Sequence, residues 1–177
     1  IGDLEVLKDG KSGLSQTNLE DISYALNICK FFDQPVCACM KHVNPCGVAV
    51  AVDDEALRSV YARARDCDPR AAFGSVMGFN VEVDADTADE IMSTFAECVV
   101  APSFTDDAVA VFNDHEKYKR NKHLRVLKCG DLASLPRYVG DDCAQARTIK
   151  VFADGSLVIA DPLLTNLRCV EDVPRAS

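Results

Sequence analysis

Pro35-Val36-Cys37-Ala38-Cys39-Met40-Lys41-His42-Val43-Asn44-Pro45-Cys46-Gly47 is the stretch that decides how this chain reads. Residues 35–40 are short, apolar and bounded by charge, as in a strand buried on both faces. Lys41 and His42 follow at its end, and in open α/β sheets ligands gather at the carboxyl ends of strands. His42 is the only histidine in the first 114 residues. Beside Lys41 it offers a base active near neutrality and a cation for a developing oxyanion. Pro45 fixes the backbone and Gly47 frees it, so that the chain can turn close to a ligand. A plain surface Lys-His pair at a strand end accounts for the local chemistry equally well.

Working outward, Asn18 is placed to cap a helix whose apolar face carries Leu19, Ile22, Leu26 and Cys29, at spacings of three and four. After the central stretch, Asp53 or Asp54 opens a second helix with Leu57, Val60, Tyr61 and Ala64 on one stripe. It stops before Asp68-Pro69, since proline disfavours helical geometry in the residue before it. Residues 75–80 read as a strand. A third helix begins near Asp86, with Ala88, Ile91, Met92 and Phe95 facing inward. Residues 98–101 form a short buried strand, 106–112 a short helix, and 123–128 a strand ending at Gly130. This alternation predicts a layered α/β sheet with helices on both faces. Further on, residues 148–152 and 157–160 flank Asp154-Gly155, a hairpin signal. A last strand-like stretch at 167–170 has no helix to cover it, which gives the end the look of a domain cut short. Ile1 in place of Met points to a processed chain or a piece of something longer.

At 177 residues and 48% hydrophobic content, the chain suits one domain, 1–177, with a sizeable core. No stretch approaches the roughly 20 apolar residues that span a bilayer, and the first residues lack the layout of a signal peptide. A soluble, cytoplasmic protein with no membrane partner is the expectation. With 28 acidic against 19 basic residues the net charge is -9, which argues against nucleic acid as a partner. A small anion remains possible through a local cluster or a helix N-terminus. The basic stretch Lys117, Lys119, Arg120, Lys122, Arg125 and Lys128 reads as a solvated loop running into a strand. Nine cysteines lie mostly in apolar runs and none forms a C-x-x-C pair. Neither a zinc knuckle nor a redox dithiol is signalled, and buried structural thiols in a reducing compartment are expected.

Lys41-His42-Val43-Asn44-Pro45-Cys46-Gly47 resembles the K-H-x-N-P-C-G signature of the AICAR transformylase domain. Gly10-Lys11-Ser12-Gly13-Leu14-Ser15-Gln16-Thr17-Asn18, then Asp21, is similar to that family's G-K-x-L-S-Y-N-N-x-x-D. One extra residue separates lysine from leucine, and Gln-Thr replaces Tyr-Asn. Asp68-Pro69-Arg70-Ala71-Ala72-Phe73-Gly74 is similar to D-P-x-S-A-F-G. Asp84, Thr87-Ala88 and Glu97-Cys98-Val99-Val100-Ala101-Pro102 follow D-x-x-T-A and E-V-V-x-A-P, and His123-Leu124-Arg125-Val126-Leu127 takes the place of the N-L-R-x-L strand. Order and near-constant spacing hold through these matches.

The resemblance implies a three-layer αβα fold, cytidine deaminase-like, which the family uses twice in tandem; this chain corresponds to the first repeat. It implies formyl transfer from 10-formyltetrahydrofolate to the 5-amino group of the aminoimidazole ribonucleotide AICAR, in purine biosynthesis. His42 takes the place of the general base and Lys41 that of the transition-state cation. Gly74 and Glu97 take the places of residues that contact the nucleotide, Phe73 lines the same pocket, and Asn44 of the signature joins them. Core packing is the plain alternative for Phe73, and a solvated helix end the alternative for Glu97. No metal is called for. Zinc deaminases of the same superfamily need H-x-E or C-x-E with P-C-x-x-C, whereas here Val43 and Asn44 follow His42, and Gly47, Val48 and Ala49 follow Cys46. Family members are dimers with shared active sites, so a homodimer is expected. The sequence holds no counterpart of the family's R-Y-G-x-N-P-H-Q segment, of its second repeat or of its cyclohydrolase domain. A catalytically silent nucleotide-binding or scaffolding module, needing a second chain or the missing half, is the alternative.

Overall fold

In the computed structural model, which describes residues 4–144 and 146–173, the chain divides by contacts into two compact units, Ile1–Leu132 and Ala133–Ser177. In chain order the first unit contains β1 (Glu5–Lys8), α1 (Gln16–Cys29), β2 (Val36–Lys41), β3 (Asn44–Val50), α2 (Leu57–Asp66), β4 (Ser75–Phe79), α3 (Ala85–Ser93), β5 (Ala96–Ala101), α4 (Asp106–Asn113) and β6 (Arg125–Lys128). The strands form one six-stranded sheet in the order β1-β6-β5-β4-β2-β3. Strands β4, β5 and β6 run parallel, joined by crossovers through α3 and α4. Strand β2 lies antiparallel to β4, β3 antiparallel to β2, and β1 antiparallel to β6. The sheet is therefore mixed. Helix α1 packs on β2 and β4, and α2 packs on β2 and β3 and continues into α3 and α4. A mixed central sheet flanked by helices is the α/β class that the sequence predicts, compatible with three αβα layers.

Local chemistry explains most element ends. Ser15, not Asn18, caps α1: its hydroxyl accepts the Asn18 N–H at 3.1 Å, and the Asn18 side chain accepts the Ser15 N–H at 3.3 Å. This reciprocal box satisfies two of the otherwise orphaned first-turn donors. The buried stripe of α1 is then Asn18, Asp21, Ile22, Ala25, Leu26 and Cys29, and Leu19 faces outward at 46% exposure. Two polar residues inside the true stripe disguise its position. Helix α2 buries the expected Leu57, Val60, Tyr61 and Ala64 but starts at Leu57 without a side-chain cap. Asp53 sits instead in a turn at φ 52°, and Glu55 is held by Arg63 at 2.6 Å. Asp84 caps α3, so that Phe95 falls beyond the helix.

Two strands escape the sequence reading. Strand β1 is short and charged, as an edge strand can be. Strand β3 contains Pro45 and Gly47, residues that speak against a strand interior but are tolerated at a sheet edge. Gly47 is needed there for a different reason than a turn. A Cβ on it would stand 2.0 Å from the Ala64 carbonyl oxygen and 2.6 Å from the Cys67 Cβ, so β3 can approach α2 only where no side chain intervenes.

Five of the nine cysteines, at 29, 37, 39, 98 and 129, are buried as expected, whereas Cys67 and Cys169 lie on the surface. Burial pushes the Cys29 thiol up to about 12 and Cys129 up to about 11, from an ordinary 9.0; Cys37, Cys98 and the Tyr61 hydroxyl are raised by the same cause. In the unfolded chain these groups ionise at ordinary pH values, so the contribution they make is complete below pH 9.0 and is lost as pH climbs toward the folded values. The melting temperature is expected to fall between pH 9 and pH 11, and Cys29→Ala to flatten that fall. A profile unchanged by the substitution would contradict this account.

The second unit contains β7 (Thr148–Val151) and β8 (Leu157–Ala160), an antiparallel hairpin around Asp154-Gly155 as the sequence predicts. Residues 167–170 are not a strand. The Asp172 carboxylate accepts the N–H groups of Arg168 at 2.7 Å and Cys169 at 3.2 Å, which takes up donors that a strand would pair. Among the described residues no helix is long and apolar enough to cross a membrane.

Candidate active site

Strands β2 and β3 are joined by a two-residue turn, His42-Val43, closed by the pair Lys41 and Asn44. The turn thus comes earlier than the Pro45 and Gly47 positions at which the sequence suggests one. Both central residues have positive φ, 53° at His42 and 61° at Val43, as a type I′ hairpin requires. Asn-Gly normally fills these positions. A left-handed backbone costs an L-residue roughly 1–2 kcal/mol, and a β-branched residue such as Val43 is a true outlier there.

The turn is held from below by Asp21 of α1. Its carboxylate oxygens accept the His42 N–H at 3.1 Å and the Val43 N–H at 2.6 Å, and the side chain is buried, with Asp21 only 4% exposed. Charge-assisted bonds of this kind are about twice as strong as neutral ones. The Asn44 amide donates to the His42 carbonyl at 2.9 Å. The grip is made through the main chain, and the His42 and Asn44 side chains remain exposed.

Lys41 turns toward the start of β4, where its ammonium donates to the Phe73 carbonyl. Phe73 is exposed rather than part of the core, and its ring packs against Phe95 at a tilt of 40°, with centroids 5.0 Å apart. Gly74 has φ 70°, and its N–H donates to the Phe95 carbonyl at 2.9 Å. A Cβ on Gly74 would lie 3.0 Å from the Phe95 ring and 3.3 Å from a Glu97 carboxylate oxygen. The other Glu97 oxygen accepts from the Asn18 amide at 3.2 Å. Bonds and chain neighbours together make a ring: Lys41 bonds the Phe73 carbonyl, adjacent Gly74 bonds the Phe95 carbonyl, Glu97 two residues on accepts from Asn18, and Asp21, one turn along α1, accepts the His42 N–H. Every residue that the sequence puts forward, Lys41, His42, Asn44, Phe73, Gly74 and Glu97, stands on this ring or is bonded to it.

The ring occupies one end of the sheet, but not the end where doubly wound sheets bind ligands. Lys41 is at the carboxyl end of β2, while Gly74 and Glu97 are at the amino ends of β4 and β5. The antiparallel direction of β2 brings the two together. Sequence reasoning missed Asn18 and Asp21 as site residues. The available signal was two polar residues at helical spacing within an otherwise apolar buried stripe. Beside the ring, a shallow hollow is lined by Arg65, Pro69, Ala72, Phe73, Ser93, Thr94, Phe95 and Arg120; it shares Phe73 and Phe95 with the ring and includes neither Lys41 nor His42. The basic stretch behaves as a solvated loop: Lys117 pairs with Asp89 at 2.7 Å, and Arg125 bonds back to the Gly13 carbonyl. Among the described residues, no three His, Cys, Asp or Glu side chains cluster as a metal site.

The family model of the AICARFT/IMPCHase bienzyme matches residues 2–161. The chain belongs to this family. It is 39% identical over 164 residues to the bifunctional purine biosynthesis protein PurH of Ruminiclostridium cellulolyticum, covering 90% of this chain and 29% of that protein. It is 41% identical over 155 residues to PurH of Rhizobium meliloti, covering 86% of this chain and 26% of the relative. With purH of Dictyostelium discoideum the identity is 36% over 129 residues, 73% of this chain and 23% of the relative. The chain thus spans about a quarter of the length of the curated relatives it matches.

Proposed function

We propose that residues 1–177 act as a single AICAR transformylase-like domain, the first of two tandem cytidine deaminase-like repeats, and supply the catalytic pair for formyl transfer from 10-formyltetrahydrofolate to AICAR. The observation that carries this reading is that ring, which draws six residues put forward by the sequence, from the three segments 41–44, 73–74 and 97, to one end of the sheet.

The amine of an aminoimidazole is a weak nucleophile because its lone pair is delocalised into the ring. Its proton must leave as its nitrogen attacks the formyl carbon, and His42, exposed at the tip of the turn, takes that proton as general base. The formyl oxygen then becomes an oxyanion. The Lys41 ammonium, already oriented by the Phe73 carbonyl, meets that charge without reorganising. Collapse breaks the bond from the formyl carbon to the folate nitrogen, and the proton held on His42 passes to the departing nitrogen. Glu97 is oriented by Asn18 to accept hydrogen bonds from the nucleotide base, with Asn44 beside the turn. Gly74, having no side chain, leaves room between the Phe95 ring and the Glu97 carboxylate. AICAR and the folate are the partners of this reading, together with a second copy of the chain in a cytoplasmic homodimer.

Titrating the protein with AICAR is expected to raise its melting temperature, since a ligand that binds only the native state stabilises it. Adding 10-formyltetrahydrofolate should then yield formylated nucleotide. Stabilisation without turnover in the protein that carries these residues would remove the catalytic role and leave a nucleotide-binding module. No stabilisation would remove both.

A further inference from the structure

We infer that Asp21 is a positioning residue that sets the His42-Val43 turn in its left-handed conformation, and through it the direction in which the catalytic pair points; the inference rests on the formyl-transfer reading above.

Neither residue of the turn favours its own backbone conformation. His42 at φ 53° and Val43 at φ 61° stand where glycine and asparagine are normally found, and strained backbone persists only where its surroundings over-determine it. Here the surroundings are Asp21. One carboxylate bonds both strained N–H groups, at 3.1 and 2.6 Å, and is itself fixed in the buried stripe of α1. In an extended link successive N–H groups point to opposite sides, so both can reach one carboxylate only while the chain is folded back at His42-Val43, and the two bonds reward keeping it folded. Asp21 therefore holds the turn, and the turn closes Lys41 against Asn44, with Lys41 at the end of β2 and His42 at the tip. Asp21 touches neither reacting side chain, so it acts entirely through the main chain of His42 and Val43.

The test is a rescue. Asp21→Ala is expected to lower kcat about 100-fold, the cost of misplacing a catalytic group by about 1 Å. The nucleotide KM should stay within a factor of about 3, because uniform binding is untouched. Asp21→Asn, which keeps one acceptor oxygen, should fall between the two. Adding Val43→Gly to Asp21→Ala should recover about tenfold in kcat, because glycine takes positive φ without steric cost. A merely structural role for Asp21 would not be repaired by changing a residue in the turn. Amide exchange across residues 41–44 supplies an arm that does not need turnover: faster in Asp21→Ala, slowed again in the double variant, with β4 and β5 unchanged as the control for folding. A kcat that survives Asp21→Ala, or a double variant no better than the single one, would overturn the inference. Lack of turnover in the unaltered protein would instead sink the formyl-transfer reading, and the exchange arm would then decide alone whether Asp21 sets the turn.

Discussion

Replacing His42 with alanine is expected to reduce kcat by about 10²–10⁴, the range over which a positioned general base accelerates proton transfer. Lys41→Ala is expected to cost about 10²–10³, as loss of one oxyanion partner does. Both substitutions should leave the fold intact. The His42 side chain is exposed, and the bonds that hold the turn are made by its backbone N–H and carbonyl, which alanine keeps. Lys41 is the last residue of β2, and the five before it carry the buried packing. Because the two groups act in one step, the double variant should be little worse than the poorer single variant, as residues that act as a unit are not additive. The measurement is single-turnover formyl transfer at saturating AICAR in the protein that carries these residues, with melting curves in parallel. Near-normal rates in either well-folded variant would remove the role assigned to that side chain.

Gly47→Ala is expected to be the most damaging small substitution in the first unit. The added Cβ would meet the Ala64 carbonyl oxygen at 2.0 Å, which is backbone in the last turn of α2 and cannot swing aside as a flexible side chain would. Either β3 or α2 must move. Val60 and Ala64 of α2 are fully buried in the core cluster that also holds Cys37 and Cys39 of β2, so the helix cannot retreat cheaply. Overpacking of this kind costs about 3 kcal/mol or more, which for a domain of this size lowers Tm by roughly 10 °C. Since β3 pairs with β2 along its whole length, formyl transfer should also suffer at temperatures where the variant is still folded. A melting temperature within about 2 °C of the unaltered protein, equivalent to under 1 kcal/mol, would show that the close approach is easily relieved.

Much of this arrangement was legible in the sequence, and the misses have physical reasons. Apolar runs bounded by charge marked β2, β4 and β5, and the helical spacing of Leu57, Val60, Tyr61 and Ala64 marked the inner face of α2. These elements are buried by the fold's strongest term, so their pattern is plain. Strand β3 was hidden because Pro45 and Gly47 look like turn residues, when the edge position excuses one and the contact with α2 demands the other. The turn itself was hidden because His42 and Val43 have no local preference for it; a carboxylate twenty-one residues earlier in the chain imposes it. The cap of α1 was misplaced by three residues because Asn18, a good cap by type, serves as the return half of a box begun by Ser15. Residues 167–170 have strand composition, but Asp172 claims their donors. Lys41 and His42 stood out locally as a pair, while Gly74 and Glu97 acquired meaning only through the family resemblance, and their proximity to each other became visible only in three dimensions.

The antiparallel course of β2 divides labour between the two rims of the sheet. One rim holds the hairpin tip, Gly74 and Glu97; the opposite rim carries the loops that leave β4, β5 and β6. A fluorophore or affinity handle attached near Glu82, just past the far end of β4, would sit about five residues of strand away from the chemistry, at about 3.3 Å each. That rim can be decorated, lengthened or immobilised for measurement while the working rim is left as evolution shaped it.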